Sequence, residues 1–255
     1  MADAAALPVL LRQLRLPTMA GCWQQVTEQA AERGWSVPQA LAALCEYELA
    51  ERHSRRLARH LKESALPVGK TLERFEFDAI GGAERARLTA LCSSAQWISD
   101  AANVLLFGPS GVGKSHLAAA IGHALIEQGL RVRYCSASAL VQQLQVAREQ
   151  LRLAEALSKL DKYHLLIIDD IGYVKRSQLE TSVLFELIAH RYEASSLLIT
   201  SNQPFSAWDG IFADEMMAVA AIDRLVHHAQ VFELSGQSYR KRAFSRNAKE
   251  VSTMP

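Results

Sequence analysis

Gly108-Pro109-Ser110-Gly111-Val112-Gly113-Lys114-Ser115 is the stretch on which the reading of this chain turns. It meets the pattern GxxxxGK[ST] at every required position. Glycines at these spacings let the backbone curl until several N–H groups point inward and cradle phosphate oxygens. Lys114 then places its ammonium on the β and γ phosphates, and Ser115 its hydroxyl on Mg²⁺. His116 follows directly and joins the nucleotide-contacting set. The flanks agree with this reading. The short apolar run 103–107 predicts a strand entering the turn, and 114–128 predicts a helix ended by Gly129.

Downstream, Leu165-Leu166-Ile167-Ile168-Asp169-Asp170 is an apolar strand closed by two carboxylates. Such a pair is expensive to ionise at the end of a buried strand unless a cation is near. A magnesium-bound triphosphate supplies one. Asp169 is expected to face the Mg²⁺ through water, and Asp170 to orient or deprotonate an attacking water. Either Asp taken alone is equally compatible with a cap on the following turn. Asn202 ends the next apolar strand, 197–201, where a neutral amide would hold that water or touch the γ-phosphate. An Asn in a strand-ending turn is the plainer alternative. Arg224 sits in the helix-like stretch 217–228, and Arg240 follows the last strand candidate, 231–234. Pattern alone leaves both open as solvated surface charges.

Strand candidates at 103–107, 132–135, 165–168, 196–201 and 231–234 alternate with helical patterns at 114–128, 140–160 and 178–192. This alternation predicts an α/β domain: a parallel sheet flanked by helices, with ligands at the carboxyl ends of the strands. Residues 7–66 read as helices instead. Leu7, Leu10, Leu11 and Leu14 recur at helical spacing before Pro17, and Ser36 before Pro38 resembles a helix start. The expected division is a helical domain over 1–67, a linker over 68–78 marked by Gly69, and the sheet domain over 79–255.

Composition sets the class. With 255 residues, 49% hydrophobic and 22% charged, the chain has enough apolar material for a sizeable core plus a smaller module, and is not a disordered chain. A formal net charge of +1 announces no nucleic-acid partner, so one must be sought in local patches. Cys22, Cys45, Cys92 and Cys135 are far apart and form no CxxC pair, which favours reduced thiols over a zinc site or a disulfide framework. No apolar run is long enough to span a bilayer, and the first residues do not resemble a secretory signal. The expected compartment is the cytoplasm.

One local patch is 52–62, where Arg52, Arg55, Arg56 and Arg59 share a helix face suited to phosphates. A solvated face salted by Glu48, Glu51 and Glu63 accounts for the same residues. Arg148, Arg152, Lys175 and Arg176 are further candidates for DNA phosphate contacts, which would be independent of sequence. A basic cluster after residue 239 is another. His227 and His228 are adjacent and cannot share one helix face, so they read as packing or polar residues rather than metal ligands. The four tryptophans read as core or interface anchors.

Taken together, GPSGVGKSHLAAAIG, LLIIDDIGY, LLITSNQPF, AAIDRLVHHA and SGQSYRKR resemble the IstB and DnaC branch of the AAA+ ATPases, with IstB the nearer. The stretch LRQLRLPTMA is similar to the start of IstB proteins, so the resemblance covers nearly the whole chain. It implies a role for each matching position: Asn202 as the sensor-1 residue, Arg224 as an arginine finger reaching a neighbouring subunit's nucleotide, and Arg240 as the sensor-2 arginine acting in cis. It implies that the insert around 138–161 opens a ring into a spiral on DNA. It also implies a P-loop AAA+ domain without a full helical lid, with ATP and Mg²⁺ as cofactors and self-assembly into an ATP-dependent oligomer. The partners implied are duplex DNA, bound largely without sequence preference, and an IstA-type transposase. A DnaC-like helicase loader and a nucleotide-gated scaffold with little turnover are the alternatives.

Overall fold

The computed structural model describes residues 4–77, 80–172, 177–210, 212, 214–236 and 238–239. The chain divides into two compact units, 1–59 and 60–255.

In the first unit, α1 (Leu7–Gln13) and α2 (Pro17–Arg33) precede α3 (Val37–Ser64), whose last turns belong to the second unit. Pro17 does not merely interrupt. It occupies the first helical position of α2, where its missing N–H and fixed φ suit helix initiation. Gly34 ends the helix in the left-handed region at φ 64°. Leu11, Met19, Val26 and Leu44 form a small core flanked by Trp23 and Trp35.

Glu48 supplies the missing cap of α2. It is 3% exposed and accepts from Thr18 N at 2.8 Å and Met19 N at 3.0 Å, while Arg52 Nε donates to it at 2.9 Å. Burial works to raise the Glu48 carboxyl. The bonds from Met19, Arg52 and Thr18 together outweigh it and hold the group below the ordinary glutamate value. The folded group therefore binds its proton less tightly than the unfolded chain. Its contribution is complete above the ordinary glutamate range and is lost as pH falls through the folded value. Glu48→Gln in the full chain is expected to destabilise the first unit by about 1–3 kcal/mol, through weakened buried hydrogen bonds. The check is a circular-dichroism melt at neutral pH and again near pH 4, where the gap between variant and parent narrows.

The second unit is built on a five-stranded sheet ordered β2-β3-β4-β1-β5. Its strands are β1 (Asn103–Phe107), β2 (Val132–Ser136), β3 (Leu165–Asp169), β4 (Ser196–Ser201) and β5 (Ala229–Glu233), and every pairing is parallel. The central strands β1, β3 and β4 are largely apolar and buried because both faces are covered, whereas the edge strands β2 and β5 are partly exposed. Leu105, Phe107, Leu166, Ile168, Leu197 and Ile199 point to one face, with α7 (Ala137–Glu149), α8 (Leu153–Ser158), α9 (Gln178–Arg191) and α10 (Glu215–Val226). The alternate residues face α6 (Lys114–Glu127). The small face of α6 lets it sit close to the sheet: a Cβ on Gly122 would lie 2.9 Å from Leu66 Cδ2 and 3.0 Å from Ile167 Cδ1.

Helix starts follow their side chains. Ser136 accepts from Ala139 N at the head of α7, Ser177 and Glu180 form a capping box on α9, and Asp214 accepts from Met217 N on α10. Arg191, 1% exposed, donates to Leu160 O, Tyr163 O and Ser196 O and ties the turns beneath β3 and β4. Burial lowers its pKa to about 10.

Several readings change. The first compact unit ends at residue 59, within α3, and Leu66 of the second packs on α6. Two helices, α4 (Gly82–Ser93) and α5 (Gln96–Ser99), precede β1 where no element was assigned. Trp97 and Trp208 are core residues as expected, 6% and 0% exposed. His227 and His228 are exposed rather than packed. Their rings lie 4.1 Å apart near Glu193, and Tyr192 Oη is 2.8 Å from His227 Nδ1. No helix among the described residues is long and apolar enough to cross a membrane.

Candidate functional site

The carboxyl ends of β1, β3 and β4 converge on a cavity of about 470 Å³. The sheet order places β4 between β1 and β3, so the glycine-rich turn after β1 and the acidic end of β3 face each other across Thr200 and Asn202.

The turn is held in a shape that needs glycine. Gly108 has φ +140°, and a Cβ there would lie 2.1 Å from Leu234 O. Gly113 has φ +106°, and a Cβ would lie 2.9 Å from the Phe75 ring. Backbone at these angles is sterically closed to most side chains. Two segments fasten the turn. Leu234 N donates to Phe107 O at 2.8 Å, and Tyr239 N to Gly111 O at 2.9 Å. Lys114, the first residue of α6, is 7% exposed; its Nζ donates to Gly108 O at 2.6 Å and Pro109 O at 2.8 Å. The ammonium is thus held at the mouth of the loop whose amides it would share with a phosphate.

Opposite the loop, Asp169 is gripped from two sides. Tyr134 Oη donates to its Oδ2 and Thr200 Oγ1 to its Oδ1, both at 2.6 Å. The same Thr200 oxygen accepts from Asp170 N at 2.8 Å. That bond holds Asp170 in the left-handed region at φ 66°, a conformation that Asp tolerates better than most residues. Burial first, then the bond to Asp169, pushes the Tyr134 phenol up, so it stays protonated and remains a donor. Asn202 Oδ1 is buried with no hydrogen-bond partner among the described residues. An orphaned acceptor in a cavity lined by a phosphate-type loop is a feature that a bound ligand with its water would satisfy.

The structure brings together most of the residues read from the sequence. Ser110, Gly111, Val112, Gly113, Lys114, Ser115 and His116 line the cavity with Asp170 and Asn202. Gly108 and Pro109 contribute carbonyls to Lys114. Asp169 stands one step behind the lining, reached through Thr200. The donor set fits Mg–ATP: a loop of amides, a buried ammonium, and the hydroxyl of Ser115 near a fixed carboxylate. Ser115 and Asp169 would hold the ion.

Arg224 is not among the lining residues. It lies near the end of α10, where Nη1 donates to Ala220 O at 2.8 Å and the guanidinium stands 5.2 Å from the Phe185 ring centroid. The buried Asn103 amide pins that helix end, donating to Leu225 O at 3.1 Å and accepting from Leu197 N at 2.9 Å. Arg240, Lys175 and Arg176 lie outside the described residues.

The basic face expected at 52–59 is half neutralised. Arg52 pairs with Glu48 and reaches Arg15 O, and Arg55 pairs with Glu51, each one helical turn away. Arg56 reaches His53 Nδ1; neither it nor Arg59 makes an ion pair among the described residues. Arg148 bonds Glu186 and Ser182, and Arg152 pairs with Glu155. Carboxylates at these positions offset the attraction that phosphates would otherwise feel.

The sequence reading missed one whole wall. Lys70, Arg74, Phe75, Glu76 and Ile80 line the cavity, and all but Ile80 fall in the expected linker, 68–78. His116 holds it down: its Nε2 lies 3.0 Å from Thr71 O, and its ring meets Phe75 edge-on at 5.4 Å. Phe75 and Phe77 were the available signal, two aromatics in a stretch otherwise rich in charge. Tyr134 and Thr200 were missed as well.

The chain is similar to several known proteins. The chain is 54% identical over 241 residues to a Sinorhizobium fredii protein that carries the name of an insertion sequence ATP-binding protein, covering 94% of this chain and 81% of that one. It is 36% identical to the protein named for ATP binding in insertion sequence IS21 of Pseudomonas aeruginosa, covering 92% and 88%. Among solved structures, domain III of the Thermotoga maritima replication initiation protein DnaA matches with a TM-score of 0.57 at 21% identity, covering 75% of this chain and 78% of that one. The DnaC helicase loader matches with a TM-score of 0.54 at 15% identity, covering 66% and 98%. These likenesses show a shared fold. The sequence profile of the IstB-like ATP-binding proteins matches residues 9–247, and the chain belongs to that family.

Proposed function

We propose that this protein is the ATP-hydrolysing helper of an insertion sequence, which assembles with copies of itself on duplex DNA and directs an IstA-type transposase to its target. The observation that carries the reading is the cavity itself, where Lys114, Ser115, Asp170 and Asn202 meet around one volume sized for a nucleotide. Lys114 would hold the β and γ phosphates, Asp170 would take the proton of the attacking water, and Asn202 would orient that water through its buried amide oxygen. Magnesium, when bound, supplies neutralising charge at the phosphates.

Hydrolysis in this reading depends on assembly. Arg224 is absent from its own cavity and stands at the end of an anchored helix, a placement that suits action on a neighbour's nucleotide. Arg240 would act in cis; Tyr239, the residue before it in the chain, lines the cavity. The helical N-terminal region, expected over 1–67, would engage transposase or DNA. The names of the relatives place them in insertion sequences, which favours transposition over helicase loading. Arg56 and Arg59 are better placed for phosphates than Arg52 and Arg55, whose charge is already matched. Arg148, Arg152, Lys175 and Arg176 remain further proposed contacts.

The test is electron microscopy of the protein on duplex DNA with a non-hydrolysable ATP analogue. Ordered assemblies are expected with the analogue and not without nucleotide, and they should dissolve as salt rises. Assemblies that form equally without nucleotide contradict the reading, as does binding confined to single strands.

A further inference from the structure

Asp169 ends β3 and Ser115 lies in the first turn of α6, and the two are not bonded to one another directly among the described contacts. Tyr134 stands between them. It lies on β2 opposite Ile167 of β3, so Asp169, two residues on, is on the same face and within reach of a long side chain. Its hydroxyl donates to Asp169 Oδ2 at 2.6 Å and has the Ser115 hydroxyl as its other polar neighbour. Tyr134 is half-buried and does not line the cavity, so it stands behind the residues that would meet a nucleotide.

We propose that Tyr134 is a positioning residue: its phenol carries the hydrogen-bond link between the P-loop hydroxyl of Ser115 and the carboxylate of Asp169, and so presets both for the metal ion. This rests on the Mg–ATP reading above. A phenol has one proton to give, and Asp169, which accepts only, takes it. Ser115 must then donate to the phenol oxygen. The chain of bonds runs Ser115 to Tyr134 to Asp169, and it leaves a lone pair of the Ser115 oxygen directed away from Tyr134 for a cation. Thr200 holds the other oxygen of Asp169 at 2.6 Å, so the carboxylate is fixed in rotation before any ion arrives. Groups that orient metal ligands in this way typically change metal affinity by about 10–100-fold when removed.

Tyr134→Phe removes one oxygen and keeps the ring, so the packing of β2 is preserved. The full chain would be titrated with a fluorescent ATP analogue, first in EDTA and then with increasing Mg²⁺. The expected result is an unchanged affinity in EDTA and a Mg²⁺ midpoint raised about tenfold. A second readout is the fraction of Mn²⁺ bound, followed by electron paramagnetic resonance, which should fall in parallel. An unchanged Mg²⁺ midpoint overturns the proposal. So does an equal loss of affinity with and without the ion, which would mark Tyr134 as a packing residue only. If the parent chain itself shows no Mg²⁺-dependent binding, it is the Mg–ATP reading that fails, and the two failures are told apart by that control.

Discussion

Lys114→Ala is expected to remove hydrolysis and to weaken ATP binding by about 10–100-fold. Lys114 Nζ bonds two carbonyls of its own loop at 2.6 and 2.8 Å, and the side chain is 7% exposed. A charge-assisted hydrogen bond is worth about 1.5–3 kcal/mol, and a triphosphate offers the ammonium a stronger partner than neutral carbonyls do. Each 1.4 kcal/mol is a factor of ten, which sets the range for binding. The loss in rate should be larger than the loss in affinity, since charge builds on the transferring phosphoryl group. Phosphate release and titration of a fluorescent ATP analogue, measured on the same preparation, separate the two effects. Hydrolysis at the parent rate would show that Lys114 is not on the phosphates.

The second large effect is expected from Arg224→Ala. An arginine finger raises turnover by about 10³–10⁵, and its removal should lower hydrolysis on that scale. Affinity for ATP should stay within a few-fold of the parent, because Arg224 does not line its own cavity. The side chain also covers Phe185, so a thermal melt is needed to show that the variant is folded. Mixing supplies the sharper test. Lys114→Ala subunits keep Arg224, and Arg224→Ala subunits keep an intact cavity. A mixture of the two inactive variants should recover part of the activity if the arginine acts across a subunit boundary. No recovery, with both variants folded and assembling, would place Arg224 outside the reaction or on its own nucleotide.

Much of the site was legible because its chemistry is local in sequence. The P-loop is eight consecutive residues, and the acidic pair closes a single apolar strand, so pattern and period locate both. Asn202 was legible at one remove, since an apolar run ending in a polar residue predicts a strand end beside the others. What escaped depends on register and on distance along the chain. That Tyr134 reaches Asp169 follows only once β2 lies beside β3 with Tyr134 opposite Ile167. Thr200 was read as one more strand residue, although it bonds Asp169 and Asp170 together. Residues 68–78 resemble a linker because they lack a helical or strand period. They form a wall because His116 and Gly113 leave room for Phe75.

The arginines divide in the same way. The partners of Arg52 and Arg55 were visible as glutamates one turn earlier. The partner of Arg148 is Glu186, on a different helix, and could not be seen. The sheet was legible in class and nearly in the bounds of its strands; α4 and α5 were not, because their apolar residues are too few to set a period.

Everything proposed here requires that the loop at 108–115 take up a magnesium-bound adenine nucleotide. Isothermal titration calorimetry of the pure full-length protein with ATP, in the presence and absence of Mg²⁺, measures this directly. One-site binding that strengthens when the ion is present is the predicted result. Heats indistinguishable from dilution under both conditions would contradict it.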